Sequence, residues 1–125
     1  MADDQIPKMK TFNLHERAAI FAKDVRTLLA KLPRTLAMIE DGKQLIRSSG
    51  SIGANYIEAN ESLGDKDLVY RFRIARKEAK ENAYWLQVIE VGSGDEEKER
   101  QRLHAEAGEL IKILSSIITK IESRL

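Results

Sequence analysis

Residues 44–59, QLIRSSGSIGANYIEA, decide how this chain is read. The stretch lies in a helical apolar period, yet it carries Gly50, Gly53, Ser48, Ser49, Ser51 and Asn55. These are weak helix formers, so a helix here is held by close packing on one side and hydrogen bonds on another. On a helical wheel Arg47, Ser51, Asn55 and Glu58 share one narrow arc. Gly50, Ala54 and Ile57 fill the neighbouring arc, where a partner backbone can approach. Leu45, Ile52 and Tyr56 point away from the polar row and supply the apolar stripe. As chemistry, the row could line a small-molecule or phosphate site. As structure, it is a network that fixes helix register with its buried polar groups paired, and that is the reading adopted. Arg47 and Glu58 lie too far apart to meet, so each is expected to pair with another helix or subunit.

Outward from this stretch the apolar spacing stays helical, and no period-two strand pattern is found. Asn13 and Glu16 read as a capping pair for a first helix. Ala18, Phe21, Ala22, Val25, Leu28, Leu29 and Leu32 recur at three and four, and Pro33 ends the run. A second helix is expected over Arg34–Asn60, loosened at Gly42. The turn Ser62-Leu63-Gly64-Asp65 precedes a third, reaching Val91, with a stripe of Leu68, Phe72, Ala75, Ala79, Leu86 and Ile89. Gly92-Ser93-Gly94 is a break. Asp95, Glu96 and Glu97 then suit the positive end of a fourth helix. Its heptad runs Leu103, Ala107, Leu110, Leu114, Ile117, Ile121. Four long helices with short connections predict an all-α, antiparallel up-down four-helix bundle over residues 12–125, after a flexible tail of residues 1–11.

Composition narrows the function classes. At 125 residues the chain is one domain. It has no cysteine, which suits a reducing cytoplasm and removes disulfides and thiolate metal sites. The N-terminus lacks the apolar core of a signal peptide. No apolar run approaches a membrane span; LIKILSSIITKI is interrupted by Lys112 and Lys120. With 33% charged residues and a net charge of +1, a case for nucleic acid has to rest on local patches.

Catalytic patterns are nearly absent, and no enzymatic activity, cofactor, metal or small-molecule substrate is expected. His15-Glu16 begins a zinc-protease motif, but Ala19 stands where the second histidine is needed. Gln101 precedes His104 where a di-iron bundle needs glutamate. Both histidines read as surface residues. Gly50-Ser51-Ile52-Gly53 matches the GxxG of KH loops, but inside a helical run with no sheet. No glycine is followed by the Lys-Ser or Lys-Thr of a phosphate loop.

Two surfaces remain. Helix four carries Ile111, Ile113, Ile118 and Leu125 beyond its heptad, and helix three has a second patch of Tyr70, Ile74, Trp85 and Val88. A tryptophan and a tyrosine there favour a self-association interface. Helix three also holds a basic row, Arg73, Arg76, Lys77 and Lys80, aided by Arg71. Such a row suits phosphate backbones, while Glu78 and Glu81 make it equally a solvated face.

The polar row carries a family resemblance as well. Arg47, Ser51, Asn55 and Glu58 within residues 44–59 resemble the signature of bacterial four-helix-bundle proteins encoded by intervening sequences in 23S ribosomal RNA genes, the S23 ribosomal protein-like family. ARKEAKENAYWLQVI (75–89), with Glu78 and Tyr84-Trp85-Leu86, and FAKDVRTLLAKLP (21–33) extend the match across residues 12–122. The resemblance implies an up-down bundle assembled as a homopentamer, without enzymatic activity, in which the four signature residues are structural. It also implies kinship with the accessory variability protein of diversity-generating retroelements, a pentamer that partners a reverse transcriptase and contacts nucleic acid through basic surface. This chain departs from that basic relative in being nearly neutral. The expected function is an RNA- or nucleoprotein-binding module acting through helix three; the alternative is a structural or protein–protein adaptor without nucleic-acid affinity. A ligand pocket lined by the polar row is a third reading.

Overall fold

The structure is a computed structural model and describes residues 14–92 and 94–125. Its helices are α1 (Leu14–Ala30), α2 (Leu36–Asn60), α3 (Asp65–Val88) and α4 (Asp95–Glu122). No strand occurs among the described residues. Each helix packs on the next, and α4 returns against α1, closing an up-down ring. The α1–α4 seam is the least extensive among the described residues.

Local chemistry explains the boundaries. α1 stops at Ala30, and Leu32 still buries before Pro33. Thr35 caps α2, its hydroxyl accepting from the Met38 N–H at 3.1 Å. That places the start of α2 at Leu36 rather than Arg34. The helix then runs unbroken through Gly42, which is not loosened but buried against Leu29. α3 ends at Val88 rather than Val91, since Ile89 is extended and tucks into the core. Gly92 and Gly94 have φ of 81° and 75°, a region costly for other residues, so the tight return into α4 uses glycine at both. Asn13, the tail and Ser93 lie outside the described residues.

The core is one continuous cluster, from Leu14, Phe21 and Leu28 on α1 through Leu45, Ile52, Phe72, Ala79 and Leu86 to Leu103, Leu110 and Leu114 on α4. On α3 and α4, two stripe positions differ from expectation, both at the same end. Ile118 rather than Ile117 is buried on α4, and Val69 rather than Leu68 on α3. Ile117 and Leu68 are left half-exposed. Close helix approach occurs at Gly53, whose missing Cβ would sit 3.5 Å from Ala18 Cβ, and not along the Gly50–Ala54–Ile57 arc. Ala54 and Ile57 are exposed.

Candidate functional site

The α2–α3 seam is built around buried polar groups. Asn82, at a core position of α3, donates through Nδ2 to the Leu45 carbonyl at 3.1 Å and to Ser48 Oγ at 2.8 Å. Ser48 Oγ donates in turn to the Gln44 carbonyl at 2.7 Å. Both side chains are fully buried. One turn away, Arg47 donates to Glu78 at 3.0 Å and to Glu81 at 2.8 Å. Glu78 is itself buried, and a carboxylate there needs a paired cation. The Glu81 carboxylate, then Glu78, raise the Arg47 guanidinium above its ordinary pKa.

The polar row therefore divides. Arg47 bridges two helices. Asn55 donates only to the Ser51 carbonyl of its own helix, at 2.9 Å. Glu58 is exposed, with no ion pair among the described residues. The register-fixing network runs through Ser48, Glu78 and Asn82, which wheel geometry around Arg47 did not select. A sequence signal existed: Asn82 interrupts the α3 core stripe between Ala79 and Leu86, where an asparagine requires partners.

The basic row of α3 is split as well. Arg73 is ion-paired with Glu122, and Arg76 donates to Ser115 Oγ at 3.3 Å, so both lean on α4. Lys77 and Lys80 are exposed, and neither has an ion-pair partner among the described residues. The Arg71 guanidinium lies 5.7 Å from the Tyr70 ring. Of the patch residues, Tyr70 is 57% and Val88 40% exposed, while Ile74 and Trp85 are half-buried, Trp85 against the core. Tyr84, also 57% exposed, meets Trp85 edge-on at 5.0 Å and belongs to the same surface. Tyr70 and Tyr84 thus bracket the cations along one outer face.

Other chemistry is sparse. His15 and His104 are exposed on different helices. Among the described residues, no three His, Cys, Asp or Glu side chains cluster to hold a metal. No helix there is long and apolar enough to cross a membrane.

Fold and surfaces together define a four-helix bundle whose distinctive residues lie on helix faces and seams. The chain belongs to the 23S rRNA-intervening sequence protein family, whose profile matches residues 10–116. It is similar to a protein of unknown function from the S23 ribosomal protein family of Bacteroides thetaiotaomicron VPI-5482. Against that crystal structure the TM-score is 0.74 at 30% identity, covering 84% of this chain and 97% of the other. No curated protein matches the sequence.

Proposed function

We propose that this chain is a non-enzymatic, cytoplasmic, self-assembling bundle, a pentamer by family resemblance, that binds RNA or a nucleoprotein through the basic row of α3. The observation that carries this reading is the exposure of Lys77 and Lys80 along α3, with Arg73 beside them. Such cations offer phosphate neutralisation. Repetition by symmetry multiplies a row that is short in one subunit. The four signature residues serve the subunit's own architecture in this reading, not the partner.

The test is binding of nuclease-treated protein to structured RNA across a salt series, compared with the Lys77→Glu/Lys80→Glu variant. This pair is cleaner than Arg73 and Arg76, whose replacement also removes contacts to α4. Binding at low salt with a steep salt slope, lost in the variant at unchanged helicity, is the expected result. Equal affinity in the variant removes α3 from the account. A second reading, an adaptor that binds only protein, is favoured by the engagement of Arg73 and Arg76 within the bundle. It predicts no RNA affinity even at low salt.

A further inference from the structure

The two ends of α2 carry unlike features. At its start, on the seam with α1, lies a hollow of about 240 Å³ walled by Leu29, Met38, Ile39 and Ile46, with exposed Arg34 and Lys43 at its edge. Gly42 lines it too. A Cβ there would stand 3.7 Å from Leu29 Cδ2, an ordinary contact, so α1 does not demand a glycine at this point. The helix gives up propensity at Gly42, and what the missing side chain leaves open is the hollow. Lys43 is paired only with exposed Glu40, at 3.2 Å, and Arg34 with no carboxylate among the described residues. Just past the other end of α2 stands Leu63, 100% exposed in the turn to α3. Glu58 and Glu61 precede it, and Asp65 and Asp67 follow. Of the cations nearby, Lys66 and Arg124, the second is already held by Asp65 at 2.9 Å.

We propose that Leu63 of one copy seats in the α1–α2 hollow of the next. An apolar knob among carboxylates meets an apolar hollow edged by cations, so the two are complementary in polarity and in charge. The 25 residues of α2 hold them about 37 Å apart at helical rise, and a chain cannot fill its own hollow. Each copy therefore gives one knob and receives another, head to tail. Unlike patches of this kind close into a ring or run on as a filament, whereas a like-with-like contact stops at two copies. The contact deepens the self-assembly of the proposed function and rests on it, supplying the unlike surfaces that a five-membered ring requires. Neither part of it lies on the basic row of α3.

The chain has no cysteine, so disulfide trapping in the full-length protein reports only introduced thiols. Leu63→Cys combined with Ile46→Cys, at the edge of the hollow and 41% exposed, should link chain to chain into a ladder on oxidation. Leu63→Cys with Ile20→Cys, 54% exposed elsewhere on α1, is the collision control. Linking through Ile46→Cys should be at least about tenfold faster, because seating raises the local concentration. Similar rates for the two pairs overturn the proposal. Dimers formed by Leu63→Cys alone at the rate of the pair overturn it too, as a like-with-like contact. Light scattering separates this contact from the reading it rests on. With the unsubstituted protein assembled, Leu63→Glu should lose mass at unchanged helicity, and Leu63→Met, which keeps an apolar knob, should not. An unchanged mass in Leu63→Glu overturns the contact and leaves self-assembly standing. An unsubstituted protein that is a single 14.2 kDa chain overturns both.

Discussion

Arg47 and Glu58 belong to the same sequence row but do different work. Arg47 is the cation that lets Glu78 be buried, and it holds Glu81 in the same grip. Arg47→Met keeps most of the stem but leaves the Glu78 carboxylate without its charged donor. The expected loss is about 1–3 kcal/mol of unfolding free energy, the usual cost of orphaning a buried acceptor. Glu58→Gln, on exposed surface, should stay within about 0.5 kcal/mol. Urea unfolding of the two variants checks this directly. Equal losses would show that the row acts as one network, against the separation seen in its hydrogen bonds.

At the scale of elements, Arg100 ties the start of α4 to the end of α3. Arg100 donates to both carboxylate oxygens of Glu97, at 2.7 and 2.5 Å, and to the Leu86 carbonyl at 3.1 Å near the end of α3. The Arg100 hydrogen bonds, with help from Gln101, pull the Glu97 pKa from 4.5 down to about 2. A depressed carboxyl stabilises the fold above its unfolded value, and that contribution fades as pH falls through the folded one. The joint should therefore weaken between pH 4.5 and about 2. In Glu97→Gln, thermal stability should vary less with pH across that window; an unchanged slope would remove Glu97 from the acid response. The helices themselves were readable from periodicity because each turns one apolar stripe inward. Where the rule failed, the adjacent position took the burial: Ile118 and Val69 are buried in place of Ile117 and Leu68. The partners of Arg73 and Arg76 were not readable, since Glu122 and Ser115 come from a helix whose rotation about its axis no local pattern specifies. Asn82 was readable in principle, as a polar residue inside a core stripe.

For the whole molecule, the open question is which surface meets other copies. Trp85 was the natural candidate from sequence, yet it is half-buried against the bundle's own core. Its removal would change folding and assembly together. Tyr70 and Val88 are the better probes: they lie at opposite ends of the outer face of α3, are 57% and 40% exposed, and a charge at either costs the lone subunit little. In an assembly through this face, each added carboxylate would be desolvated without a partner, a cost of several kcal/mol per ion, repeated at every contact. Light scattering should give the unsubstituted protein a mass that is a multiple of the 14.2 kDa chain, and Tyr70→Glu/Val88→Glu a mass near one chain with helicity intact. A variant that stays assembled moves the contact off α3. An unsubstituted protein that is already monomeric leaves Tyr70 and Val88 as ordinary exposed residues, and any RNA affinity must then come from the short cation row of a single subunit.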